Sequence, residues 1–439
     1  MNATTGQAAA ALPVGGAADS GEALHALVRE LYPICRSITG AGTRATLDIL
    51  SRFVPLQRHE VPTGTRVFDW EVPREWTIRE AWIADAAGRR IVDFREHNLH
   101  VLNYSMPVRA RMPLAELRPH LFSLPEQPAW IPYRTSYYRD NWGFCLAHDQ
   151  LQALPEGEYE VCIDATLEPG SLSYGEAVLP GESSDEILVW SHVCHPSLAN
   201  DNLSALAVAV HLAQSLSTRP RALTYRFVFA PTTIGAITWL ARNEALAARI
   251  RHGLVLASLG DRGAFTYKRS RRGDADVDRV AAHLLAAEPG ARVEDFSPYG
   301  YDERQFCSPG FDLPVGRLTR TPNGRYPEYH ASADNLEFVT PAALAGSLAL
   351  CERLCRTLER NLRWRNLSPK CEPRLGPRGL YSNAGGRNPS EFEHALLWML
   401  NQSDGGRDVL DIARRSGLPF AQLADAAEAL QRAGLLEPA

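Results

Sequence analysis

Three side chains of the kind that bind divalent metals fall in one short stretch. They are His192, His195 and Asp201, in Glu186-Ile-Leu-Val-Trp-Ser-His-Val-Cys-His-Pro-Ser-Leu-Ala-Asn-Asp-Asn-Leu-Ser204. Imidazole nitrogens and carboxylate oxygens are the usual ligands of catalytic zinc, which keeps one position open for water or substrate. His330 and Asp334 follow much later, in Arg325-Tyr-Pro-Glu-Tyr-His-Ala-Ser-Ala-Asp-Asn335. If these groups meet, the chemistry within reach is polarisation of a carbonyl and acidification of water. Singly, each has a plainer reading: a buried histidine, a helix cap at Asp201, a loop histidine holding a backbone contact. Together they point to a metal site, with zinc as the first expectation.

The elements around them have to bring these groups to one place. Ile187 to Trp190 is a continuous apolar run and predicts a strand buried on both faces of a mostly parallel sheet. His192 and His195 lie at its C-terminal end and Pro196 breaks the chain. Asn200-Asp201-Asn202 then offers capping oxygens to an apolar helix from Leu203 to about Leu216. Ligands bind at the carboxyl ends of strands in open α/β sheets, so this is where a site belongs. Strands over Leu223–Ala230 and Gly253–Ala257 alternate with helices over Gly235–Ala247, Val277–Ala287 and Ala342–Asn361. That order predicts an α/β core over residues 21–56 and 170–366.

Residues 57–169 break this rhythm. Short alternating runs such as Thr65–Val72, Glu80–Asp85 and Tyr159–Thr166, punctuated by Gly, Pro and Asn, predict an inserted β-rich domain. Residues 367–439 predict a winged-helix-like domain: helices from Pro389, Asp408 and Phe420, a turn at Gly417, and an extended tail. Its third helix carries Asp425 and Glu428 against Arg432 alone, so phosphate contacts are scarce. A packing or homo-oligomer role is expected there, and nucleic acid is not expected as a partner.

Composition sets the outer limits. The 439 residues are 45% hydrophobic and 22% charged, with a net charge of -5, which describes a soluble globular protein without electrostatic attraction to nucleic acid or anionic membrane. No stretch approaches the roughly 20 apolar residues of a membrane span. Residues 1–20 lack a basic start and an unbroken apolar segment, and read as a disordered tail and not a signal peptide. Eight cysteines are scattered without a disulfide framework, which fits a cytoplasmic location.

The motifs resemble a known arrangement. A histidine, an aspartate just before a helix, and a distant Tyr-His-x-Ser-x-Asp are similar to the zinc exopeptidase clan of bacterial leucyl aminopeptidases and glutaminyl cyclases. The chain resembles more closely a bacterial aminopeptidase-like family that joins this core to an inserted β domain and a C-terminal winged helix. The residues that carry the likeness are Pro33–Gly40, Cys194–Ser204, Pro231–Gly235, Tyr301–Gly310 and Tyr329–Asp334. By this resemblance Asp201 is the carboxylate ligand and His330 the distal imidazole. The proximal imidazole is His192, placed at the strand end like the clan's first histidine, or His195, part of the Cys-His-Pro motif. His195 is preferred, because Pro196 and the short loop fix it beside Asp201, and His192 then lines the pocket.

One departure bears on activity. Where peptidases of this clan carry a general-base glutamate after the strand, and the closer family resembles Pro-Glu-Thr-Ile-Gly, this chain has Pro231-Thr-Thr-Ile-Gly235. The Thr232 hydroxyl has no accessible pKa for collecting a proton near neutrality. Glu303 is the expected substitute, with Arg304, Arg325 and Tyr329 as substrate contacts. The implied function is zinc-dependent hydrolysis of an amide bond in a small peptide or amino-acid conjugate. The alternatives are a zinc lyase or cyclotransferase in which Thr232 donates a hydrogen bond, and a metal-bearing binding protein.

Overall fold

The computed structural model describes residues 17–380 and 390–439. Positions 1–16 of the expected tail lie outside the described residues, and residues 17–20 already begin helix α1, Ala17–Leu31. The core is an eight-stranded sheet whose strands, in chain order, are β1 (Gln57–Pro62), β2 (Ser171–Leu179), β3 (Ser183–His192), β4 (Leu223–Ala230), β5 (Ile250–Leu256), β6 (Thr266–Lys268), β7 (Arg292–Glu294) and β8 (Val315–Thr319). Their spatial order is β1-β2-β4-β3-β5-β8-β6-β7. β4, β3, β5 and β8 run parallel in the middle, and β1, β2 and β6 join antiparallel.

β3 is central because its sequence tolerates nothing else. Ile187, Leu188, Val189 and Trp190 are all essentially without solvent contact, as an apolar run flanked by strands and covered on both faces must be. Helix α2, Ala205–Ser217, returns the chain from β3 to β4 and is buried almost all round, its small and aliphatic side chains fitting between α1 and the sheet. It starts later than the sequence predicts. Asp201 and Asn202 have non-helical backbone angles, and the Ser204 hydroxyl donates to the Asn200 carbonyl at 2.7 Å. Asp201 is therefore no helix cap, and its carboxylate is available for other partners.

Two expected boundaries shift. Gln57–Pro62, expected within the inserted domain, pairs along its full length with β2 and is an edge strand of the main sheet. The insertion thus occupies residues 63–170, and its two ends meet where Pro62 faces Ser171, with Thr63 N–H donating to the Gly170 carbonyl at 2.9 Å. Inside it a four-stranded antiparallel sheet runs in the order 90–93, 75–84, 158–168 and 108–113. Its buried side chains, among them Trp76, Val161 and Tyr104, form one continuous apolar cluster with Leu188, Trp190 and Val228 of the main sheet.

The second shift is at the C-terminus. A separate compact unit begins at Glu352. In it Arg363–Asn366, expected in the core, is the middle strand of a three-stranded sheet with Asp404–Asp408 and Leu436–Pro438. Helices Glu391–Gln402, Val409–Ser416 and Phe420–Arg432 pack beside it; Pro389, the expected first residue, lies outside the described residues. Gly417 closes the second helix with a φ of 72°, a left-handed angle that costs glycine little. Arg360 pairs with Asp425 at 2.5 Å and with Glu428 at 2.8 Å, so the acids of the third helix are engaged within the unit. Among the described residues no helix is long and apolar enough to cross a membrane.

Candidate metal centre

The C-terminal end of β3 delivers His192, and the loop after it delivers His195 and Asp201. Ligand atoms of these three residues lie within 4.8 Å of one another. His192 Nε2 is 3.0 Å from Asp201 Oδ1, whereas the other oxygen, Oδ2, faces His330 Nε2 at 3.1 Å and His195 Nε2 at 3.9 Å. The two groups separated in sequence, at 192–201 and at 330, are thus brought together on one carboxylate.

That carboxylate is fully buried, and its only ion-pair partners among the described residues are histidines. Burial pushes its pKa up, but His195 and the hydrogen bonds from His192 and His330 outweigh burial and hold it well below the usual range. The opposite holds for His195. Burial, the dominant cause, drives its pKa well below the ordinary value against the pull of Asp201, so its imidazole is neutral. Imidazole nitrogens around an ionised carboxylate are the donor types that hold a divalent cation. His192 Nδ1 is buried and has no hydrogen-bond partner in the structure, a further donor atom left over.

Several groups hold this geometry. Asp334 accepts the backbone N–H groups of Asn200 at 2.6 Å and Asp201 at 2.9 Å, tying the distal loop to the proximal one; burial raises its pKa to about 8. Arg36 is buried, and its Nε donates to the His195 carbonyl at 2.8 Å. Asp261 takes Thr321 Oγ1 and the Gly263 N–H, both at 2.7 Å, and behaves as a turn aspartate.

The other predicted site residues divide. Thr232 sits beside a carboxylate after all, because its hydroxyl donates to Asp302 Oδ1 at 2.8 Å. Trp190 Nε1 donates to Asp302 Oδ2, also at 2.8 Å, and burial raises the Asp302 pKa. Glu303, the expected proton shuttle, has other partners: Lys268 Nζ at 2.7 Å and Arg317 at 3.6 Å, in a buried ion pair. Neighbours on one short helical turn point different ways, and it is Asp302 that reaches Thr232. Tyr329 stacks on the His330 ring with centroids 3.9 Å apart. Arg304 bonds Thr233 at 3.1 Å, and Arg325 is paired with Glu294, so neither is brought to Asp201 by any contact in the structure.

Sequence reasoning did not single out Asp302, Arg36 or Tyr133. The first two lie inside motifs already quoted, Tyr301–Gly310 and Pro33–Gly40. Tyr133 lies in the inserted unit, its ring 5.1 Å from that of His195 and 5.0 Å from that of His330.

A family described as a domain of unknown function, DUF4910, matches residues 25–361, and a winged helix-turn-helix family matches residues 362–438. A Clostridium acetobutylicum protein, named for polysaccharide biosynthesis and an aminopeptidase-like domain, is 47% identical over 427 residues, covering 97% of this chain and 98% of its own. A crystal structure of a protein from the same organism, described as a candidate peptidase, has a TM-score of 0.90 at 46% identity over 96% of this chain and 97% of that one. A zinc aminopeptidase from Bacillus subtilis has a TM-score of 0.57 at 12% identity, over 77% of this chain and 94% of its own. At that identity the likeness is one of fold.

Proposed function

Because the chain belongs to the DUF4910 family, an aminopeptidase-like domain followed by a winged helix, we propose that it is a zinc-dependent hydrolase of an amide or peptide bond in a small peptide or amino-acid conjugate. The observation that carries this reading is the set of histidines converging on a fully buried Asp201 that, among the described residues, pairs with no lysine or arginine. An ionised carboxylate among imidazole nitrogens is a donor set that divalent cations bind. The name of the Clostridium acetobutylicum relative adds amides carried on sugar precursors to the substrates worth testing.

In this reading His195, Asp201 and His330 hold the ion, and His192 Nε2–H fixes the second carboxylate oxygen. Zinc, when bound, polarises a carbonyl and acidifies water. The chain supplies the rest. His330 keeps 28% of its side chain exposed whereas Asp201 has none, so substrate approaches along the Tyr329–His330 face. The Thr232 hydroxyl donates its hydrogen bond to Asp302, which leaves the oxygen lone pairs of its half-buried side chain free to accept a hydrogen bond from substrate or water. Asp302 takes the place expected for Glu303 as the carboxylate behind that hydroxyl. The six thiols Cys35, Cys145, Cys162, Cys194, Cys307 and Cys371 support a reducing, cytoplasmic setting.

Metal analysis of the full chain, purified without added metal or chelating resin, tests the reading: about one zinc per chain is expected. No metal, and none taken up on soaking, removes it. Thr232 itself favours a second reading, a lyase or cyclotransferase that needs a polarised carbonyl more than a base. Thr232→Glu separates the two. Placed against Asp302, the new carboxylate has its pKa raised toward neutrality, where a general base works best. Amide hydrolysis is expected to rise by on the order of 100-fold, the usual contribution of a positioned base. Loss of a different native activity in that variant would favour the second reading.

A further inference from the structure

His330 has a φ of 58°, in the left-handed region that residues other than glycine adopt uncommonly. Its surroundings come from the inserted unit. Pro132 forms an isolated bridge with Ala331, Tyr133 N–H donates to the His330 carbonyl at 2.7 Å, and Ser332 N–H donates to the Ile131 carbonyl at 2.8 Å. The Ser332 hydroxyl accepts the Ile131 N–H at 3.0 Å. The Tyr133 ring then packs against both imidazoles, edge-on to His330 and tilted against His195, whose own centroids are 5.2 Å apart.

The same tyrosine is tied to the opposite side of the centre. Its hydroxyl bonds that of Tyr137 at 2.9 Å, Tyr137 donates to Asn103 Oδ1 at 3.2 Å, and Asn103 Nδ2 donates to the Arg36 carbonyl at 2.9 Å. Arg36 Nε closes the circuit on the His195 carbonyl. One ring of contacts thus runs from His330 through the inserted unit and back to His195.

We propose that Tyr133 is the positioning residue that sets His195 and His330 for the metal, so that the inserted β unit is a working part of the centre. This rests on the metal reading above, and a bulky ring against two ligands fixes their orientation as groups behind metal ligands generally do.

The test is a cobalt titration of the full chain after chelator treatment, reading affinity by competition and geometry by the visible absorption of bound cobalt. Tyr133→Ala is expected to weaken cobalt binding about 10- to 100-fold and to change the absorption bands. Tyr133→Phe, which keeps the ring and the backbone bonds, should restore both to near the wild-type result. Val161→Ala, a cavity in the same unit's sheet far along the chain from these contacts, should lower stability without altering the bands. If Tyr133→Ala does not fold, Tyr133→Leu refills most of the volume without a ring and carries the same expectation. Wild-type affinity and bands in the Ala or Leu variant, or an equal loss in Val161→Ala, would overturn the proposal. A wild-type chain that takes up no cobalt overturns the metal reading itself.

Discussion

Asp201→Asn should weaken metal binding by about two orders of magnitude, and His330→Ala should leave no metal bound at micromolar concentrations. Structural zinc sites with four ligands gain about 10–16 kcal/mol, so one ligand is worth on the order of 3 kcal/mol, a factor of about 100. His330 loses more than a ligand, since an alanine at a φ of 58° has little reason to stay there. The sign of the stability change is the sharper readout. Without metal, the histidines around buried Asp201 favour its ionised form, as its depressed pKa records, and asparagine forfeits those interactions. Asp201→Asn is therefore expected to lower the melting temperature of the metal-free chain and to abolish the further rise that zinc gives the wild type. Equal melting temperatures with and without zinc in the wild type would sink this.

Arg226→Met should destabilise the chain by about 3–5 kcal/mol while leaving metal affinity intact. Arg226 lies on β4, where its Nε and Nη2 grip Glu186 on β3 at 2.6 and 2.8 Å, and Nη1 reaches Glu176 on β2 at 2.8 Å. Glu176 also takes the Trp239 indole N–H at 3.0 Å. Removing the guanidinium leaves Glu186 in the core without its arginine and Glu176 with His59 Nε2, at 3.5 Å, in its place. Glu186 lies near the start of β3, three residues after the first paired residue Ser183, and His192 ends it, so the defect lies toward the opposite end of the strand from the ligands. Urea denaturation should show the loss, and Glu186→Gln in the same chain should recover part of it. A loss below about 1 kcal/mol would mean water already solvates this cluster.

The sequence announces what local patterns control. Ile187–Trp190 is apolar without alternation, so a doubly covered strand is legible, and with it the place where His192, His195 and Asp201 must sit. His330 becomes legible only through the likeness of its motif, because the loop that carries it has no periodicity. What stays hidden is decided by partners far away. Asp302 and Glu303 are adjacent and chemically alike; Thr232 and Trp190 claim one, Lys268 and Arg317 the other, and no local signal predicts that split. Tyr133 is in the same position, since its neighbours His195 and His330 lie on other segments. β1 was misplaced because a short polar strand reads the same whether it edges one sheet or another.

Residues 62 and 171 face each other across an antiparallel pair, with Thr63 and Gly170 already bonded as at a hairpin end. The chain therefore leaves and re-enters the sheet at one point, and everything between could be cut out and replaced by a tight turn without breaking a single strand pairing of the core. That makes the inserted unit an exchangeable cassette. A chain with a different cassette at this hairpin would keep the core strands that deliver His192, His195 and Asp201 but lose the Tyr133 contacts, so any exchange of cassette must also resupply the groups that orient His195 and His330.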